Sequence, residues 1–148
     1  MTLVEGRRLS KILAVKQLTK ARCIEYLNDL ITVSGDVSDW GEEQFLSDLP
    51  GKWNLSFTIW GDGIVAYAIL SRKWSDRIHI HQFMVKAAFR SSGIGSLMID
   101  RILEEYGGVE DISLKVHNDN EGAIEFYKRK NFVTEEFKDD YIWMFYRG

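Results

Sequence analysis

At 148 residues, 45% of them hydrophobic and 28% charged, the chain has the length and balance of a single globular domain, 1–148, with a real core. A net charge of −3 removes the electrostatic reason to expect a nucleic-acid partner and mildly favours a cationic one. The single cysteine, Cys23, excludes an internal disulfide framework. No apolar run approaches the ~20 residues of a membrane span, so a cytoplasmic protein is expected.

Met1 to Lys11 is polar and lacks the apolar core of a secretion signal. A strand is expected around Leu9 to Gln17. A helix follows from a Thr19 cap, with Ile24, Leu27, Leu30 and Ile31 at helical spacing. A short helix from about Gly41 to Leu49 is ended by Pro50, the one proline. The period then changes to two: Trp53, Leu55, Phe57 and Ile59 alternate with Asn54, Ser56, Thr58 and Trp60, as a half-buried strand requires. Gly61-Asp62-Gly63 turns the chain into a second strand, Ile64 to Ser71, and Ser75-Asp76 into a third, Arg77 to Lys86. Gly93 to Tyr106 is helical, with Ile94, Leu97, Met98, Ile102 and Leu103 on one face, and Gly107-Gly108 stops it. Asp111 to Val116 is a strand, Glu121 to Lys130 a helix, and Phe132 to Phe137 and Tyr141 to Tyr146 close the chain as paired strands. The strand–helix–strand crossover in the middle predicts two parallel neighbours in an α+β, mostly antiparallel sheet.

The chemistry concentrates between Lys86 and Gly95. A strand ends, a short loop carries Arg90, and two glycines spaced by one residue open a helix. Glycine lets backbone N–H groups converge on an anion, and the helix N-terminus adds unpaired donors with a favourable dipole. Such a turn is a phosphate or pyrophosphate site, or else an ordinary glycine turn before a helix. A dinucleotide fingerprint would need a glycine at position 98, which is Met98. A Walker loop would need Lys and Ser/Thr after its last glycine, where Ser96-Leu97 stand.

Val85 to Gly95, with Arg-x-x-Gly-x-Gly after a strand ending in Val, resembles the acetyl-CoA motif of the GNAT superfamily of N-acetyltransferases. Val116, Asn120, Ala123, Tyr127 and Phe132 are similar to the second signature of that family, with Asn131 where glycine is usual. The resemblance covers nearly the whole chain and implies a GNAT-like sheet of about seven strands flanked by about four helices. It implies an enzyme that uses acetyl-CoA to acetylate a primary amine, free or in a protein. Arg90, Ser91, Ser92, Gly93, Ile94, Gly95 and Ser96 would hold the pyrophosphate. Phe83, Met84 and Val85 would offer main-chain groups to the pantetheine arm in a gap between strands, and Asn120 would bind nearby. Tyr127 would protonate the leaving thiolate, as a phenol with a pKa near ~10 can.

An alkyl amine is only about one part in a thousand neutral at pH 7, so its proton must be accepted or relayed. His79, His81, Phe83 and Val85 share a strand face if the alternation is regular, and His81 stands where several similar enzymes place a catalytic Glu. His81 is therefore the candidate base, with His79 as the fallback. Trp40 to Leu49 resembles ribosomal-protein alanine acetyltransferases, but their base, a Glu immediately before the Val of the second motif, is here Lys115. Lys115 points to solvent or pairs with a substrate carboxylate. His79, His81 and His117 lack a fourth ligand, so no metal is expected. The five tryptophans line a cleft or fill the core. A non-catalytic acyl-CoA sensor on the same fold is the alternative function, and the sequence is compatible with a monomer or a homodimer.

Overall fold

The computed structural model describes residues 2–3, 12–35 and 37–148. Its strands are β1 (Thr2–Leu3), β2 (Ile12–Gln17), β3 (Phe57–Gly61), β4 (Gly63–Ser71), β5 (Arg77–Val85), β6 (Asp111–His117), β7 (Phe132–Lys138) and β8 (Tyr141–Tyr146). They form one sheet in the order β1-β2-β3-β4-β5-β6-β8-β7. Seven strands have five residues or more, and the two-residue β1 extends the edge. β5 and β6 pair in parallel, and every other neighbouring pair is antiparallel. This is the mixed α+β architecture expected from the order of periods. Leu9 to Lys11, expected in the first strand, lie outside the described residues.

The helices are α1 (Lys20–Glu25), α2 (Leu27–Ser34), α3 (Glu42–Leu46), α4 (Lys52–Leu55), α5 (Ile94–Tyr106) and α6 (Glu121–Arg129). Thr19 caps α1 as expected, its Oγ1 accepting the Arg22 N–H at 3.1 Å. The single helix expected after Thr19 is instead two. Tyr26 leaves helical geometry at φ −107°, ψ 23°, and its ring meets the Trp60 indole edge-on at 4.9 Å. The break takes Ile24 off the buried face and leaves it 57% exposed.

A second correction concerns Trp53 to Ser56, expected as the start of a strand. Gly51 adopts the left-handed φ of 74°, and Lys52–Leu55 wind a helical turn before β3 starts at Phe57. Lys52 is fully buried, and its ammonium donates to the carbonyl oxygens of Phe45 (2.7 Å), Ser47 (2.7 Å) and Gln44 (3.1 Å). A buried cation that closes the end of α3 outweighs an alternation of apolar residues.

The sheet separates two cores. α5 and α6 cover one face, where Met98, Ile99 and Tyr127 meet Ala66, Ile78, Ile80, Ile112 and Leu114. α1, α2 and α3 cover the other, with Cys23, Leu30, Val33 and Phe45 against Tyr67 and Ile69. Gly107 ends α5 with φ −64° rather than a left-handed residue. Glycine is needed there because a Cβ would lie 2.8 Å from the Tyr146 ring.

Candidate active site

β5 and β6 pair only from Arg77/Asp111 to Ile80/Leu114. Beyond that point β5 keeps its pairing with β4, from Gln82 through Val85, while its other edge has no strand partner. Lys115, Val116 and His117 of β6 pair only with β8. The two parallel strands therefore part, and Phe83, Met84 and Val85 lie along the gap, where a free strand edge offers main-chain N–H and C=O groups.

The register of β4 and β5 shifts at the same place. Ile69 pairs with Gln82 and Leu70 with Ile80, so His81 is the extra residue of a β-bulge. The bulge reverses the parity of the strand. Ile78, Ile80, Phe83 and Val85 pack toward α5 and α6. His79 and His81 meet Trp74, Trp143 and Trp40 instead, and Met84 joins the second core. The shared face of His79, His81, Phe83 and Val85, expected from regular alternation, does not exist. The histidines and the two hydrophobic residues lie on opposite faces of the sheet.

At the end of β5 a 3₁₀ turn, Ala87–Phe89, leads into the glycine loop. Ser91 and Gly93 both take positive φ, 63° and 94°, and α5 starts at Ile94. Among the described residues no backbone N–H from Ser91 to Ser96 donates to a protein acceptor. Six successive donors at the positive end of a 13-residue helix form a concavity suited to an anion. Ser92 Oγ donates to the Phe89 carbonyl, and the exposed Arg90 side chain donates from Nε to the Val85 carbonyl at 3.1 Å. These two bonds tie the loop to the strand that precedes it. The residues present fit a pyrophosphate, because the loop brings donors and a cation but no carboxylate.

Tyr127 comes from α6, on the α5/α6 face, where its ring meets those of Phe126 (5.2 Å), Phe132 (5.6 Å) and Phe83 (6.0 Å). Burial raises its pKa well above the ordinary phenol value, so the hydroxyl is held as a donor. Asn120 opens the same helix, its Oδ1 accepting the Ala123 N–H at 3.1 Å, which leaves its NH₂ group unengaged among the described residues. Asn131, in the place of the usual glycine, adopts a left-handed φ of 69°.

On the opposite face, His79 is buried and His81 half-buried, their ring centroids 4.8 Å apart. His79 Nδ1 lies 2.8 Å from Ser113 Oγ and His81 Nε2 2.7 Å from Ser71 Oγ. Trp74 stands against both imidazoles, at 5.0 and 6.5 Å, and against Trp143 at 5.8 Å. Trp40 closes the side toward α3, 6.4 Å from His81. Burial, reinforced by the ammonium groups of Lys73, Lys52 and Lys115, lowers the His81 pKa to about 4. Burial, with His81, Arg77, Lys115 and Lys73, lowers that of His79 to about 3. Both rings are neutral at pH 7.

Of the five tryptophans, Trp40, Trp74 and Trp143 thus gather round the histidines. Trp60 packs on Tyr26, and Trp53 lies under the Lys52 ammonium at 4.5 Å. Ser71, Ser113, Lys52 and Lys73 were not singled out by sequence. Their place becomes visible only once the bulge sets which β5 residues face them. No group of three or more His, Cys, Asp or Glu is gathered among the described residues, and no described helix is long and apolar enough to cross a membrane.

Comparison with known proteins accords with this geometry. Residues 20–132 match the profile of the acetyltransferase (GNAT) family. A probable N-acetyltransferase of Drosophila melanogaster, san, is 30% identical over 125 residues, which is 80% of this chain and 67% of that protein. The ribosomal-protein-S18-alanine N-acetyltransferase of Escherichia coli superposes with a TM-score of 0.76 at 20% identity, over 91% of this chain and 93% of that one. The PaiA N-acetyltransferase of Thermoplasma acidophilum, solved with coenzyme A, gives 0.66 at 16% identity over 92% and 99%. These two likenesses bear on the fold. Family profile, relative and fold agree, and the chain belongs to the GNAT family of acetyltransferases.

Proposed function

We propose that the protein is an N-acetyltransferase that takes acetyl-CoA as donor and a primary amine as acceptor, joined in the gap between β5 and β6. The observation that carries this reading is the row of unengaged amides from Ser91 to Ser96 at the end of the strand whose free edge opens the gap. Acetyl-CoA supplies an activated thioester, which an amine attacks directly. Arg90, Ser91, Ser92, Gly93, Ile94, Gly95 and Ser96 bind its pyrophosphate. The main chain of Phe83, Met84 and Val85 pairs with the pantetheine arm, and the NH₂ of Asn120 reaches it from the far side of the gap.

Tyr127 donates a hydrogen bond and then a proton to the departing thiolate. Its raised pKa keeps the hydrogen in place over the working pH range. The neutral His81 accepts the proton of the acceptor amine, directly or through one water. The cations around it favour an acceptor that arrives as the free base. Incubation with acetyl-CoA and a panel of amines, with free thiol followed, tests the reading. Thiol release coupled to N-acetylated product supports it. Tight donor binding without turnover on any amine would leave an acyl-CoA-binding module instead.

A further inference from the structure

The face that carries the histidines has a chemical character that an amine acceptor alone does not call for. Trp74 is its centre, meeting His79, His81 and Trp143. Cations outnumber carboxylates around it: Asp76 pairs with Arg77 at 3.4 Å, and Glu136 is the β7 partner of Trp143. Lys73 Nζ stands 5.2 Å from the Trp74 ring and Arg77 Cζ 4.8 Å from it. Lys115 is the cross-strand partner of Trp143, on the same face, and its Nζ lies 4.5 Å over the Tyr141 ring. Arg77 is also stacked on Phe145 at 5.5 Å, and its Nε is buried without a hydrogen-bond partner. None of the groups that perturb His79 or His81 is a carboxylate. Lys73 and Lys115 are exposed, and neither forms an ion pair among the described residues.

A surface of this kind repels an ammonium ion and attracts an anion. Its rings offer flat apolar area, while the lysines at the rim retain free donors. Both properties are met by a molecule that carries a carboxylate beside its amine. The carboxylate supplies the attraction, and the same cations hold the amine in the neutral form that attacks a thioester.

Resting on the N-acetyltransferase reading, we propose that the acceptor is an amine bearing a carboxylate, seated against Trp74 and Trp143 with the carboxylate held by Lys115 and Lys73. The carboxylate belongs either to a free amino acid or to an acidic side chain next to a peptide N-terminus.

Two pairs of acceptors test the proposal on the full chain with acetyl-CoA. One is L-phenylalanine against L-phenylalaninamide. The other is a tetrapeptide amide with aspartate or with asparagine in second position. Amidation lowers the amine's own pKa and so makes the amide the better nucleophile at neutral pH, which sets the chemistry against the expected result. In at least one pair kcat/KM is expected to favour the carboxylate by tenfold or more, and the pair that responds identifies the source. Lys115→Gln is expected to bring that ratio toward one, and Lys115→Glu to invert it. A wild-type ratio near or below one in both pairs overturns the proposal, as does a ratio unmoved by Lys115→Glu. Tryptophan fluorescence titration with the same four compounds reads binding apart from turnover. Tighter binding of the carboxylate forms without acetylation would refute the enzymatic reading and retain the anion site. Equal binding, with acetylation intact, would refute the anion site alone.

Discussion

Ser71 Oγ and His81 Nε2 lie 2.7 Å apart, joined across the β4–β5 pair at the bulge that turns His81 away from Phe83 and Val85. Ser71 Oγ accepts the Lys73 N–H at 3.1 Å and has a second lone pair for an imidazole N–H. In the tautomer with hydrogen on Nε2, that bond leaves Nδ1 free to accept the proton of the amine. With a pKa near 4, this ring does not titrate in the range of an ordinary histidine. The rising limb of kcat/KM with pH is therefore expected to follow the acceptor amine, moving up by about two units when an α-amine is replaced by an alkyl amine. His81→Gln is expected to lower kcat roughly 10–100-fold without moving that limb. A pH–rate series with both amines checks this. An inflection near 6.5 that disappears in His81→Gln would show the ring to be solvated and charged.

The two depressed histidines also set the acid stability. Their folded pKa values, about 3 and about 4, lie below the unfolded ~6.5, so between these limits the unfolded chain binds more protons. Stability is fully present above about pH 6.5 and is lost as pH falls toward 4, by up to ~1.4 kcal/mol per pH unit for each ring. Denaturant titrations at pH 7, 6, 5 and 4 are expected to show this slope, and His79→Gln to reduce it. A slope unchanged by both His79→Gln and His81→Gln would place the acid sensitivity elsewhere.

The order of elements was legible because periods of two and 3.6 and the glycine turns are local signals. Tyr141–Tyr146 and the α5 start are found where expected. What was hidden depended on distant partners. Trp53 and Leu55 alternate correctly with Phe57, yet the burial of Lys52 against α3 winds them into a helix. The bulge at His81 leaves no residue signature, since nothing in Ile78 to Val85 marks a register shift. A strict alternation therefore placed the histidines on the face of Phe83 and Val85. The positions of the glycine loop and Tyr127 were legible because each is set by local spacing within a strand–helix unit. The proposed acceptor face was not, because it is assembled from β4, the turn after it, β5, β6, β8 and the segment before α3.

Tyr127→Phe removes one hydroxyl and leaves the ring among Phe83, Phe126 and Phe132. Turnover is expected to fall roughly 10²-fold while acetyl-CoA affinity changes less than about twofold, because the lost interaction serves only the departing thiolate. Single-turnover acetylation and a donor titration by calorimetry separate the two. An unchanged rate would remove Tyr127 from the chemistry.

Gly93 has φ 94°, ahead of the first turn of α5. Gly93→Ala carries the backbone strain, about 1–2 kcal/mol, without a charge. Gly93→Glu adds a carboxylate beside the amides proposed to hold pyrophosphate. Both variants are expected to fold, with similar losses in Tm. Gly93→Glu is expected to bind acetyl-CoA at least tenfold more weakly than Gly93→Ala. Equal donor affinity in the two would show that the loop does not meet the phosphates.

Lys52 connects the fold to the proposed acceptor face. Its ammonium closes the end of α3 through three carbonyl oxygens and lies 5.7 Å from the Trp40 ring, which borders His81. Desolvation lowers its pKa to about 8, so it remains largely charged at neutral pH, where the hydrogen bonds need it. Lys52→Met keeps much of the apolar stem and abandons the carbonyls of Gln44, Phe45 and Ser47. The expected cost is about 3 kcal/mol, from the loss of charge-assisted bonds to buried acceptors. In a chain of this size that corresponds to a Tm lower by roughly 6–12 °C. Because Trp40 loses its anchored neighbour, the acceptor KM is expected to rise more than the acetyl-CoA KM. Thermal unfolding and the two KM values measure both effects. A stable variant with unchanged acceptor KM would show that α3 holds Trp40 in place without this lysine.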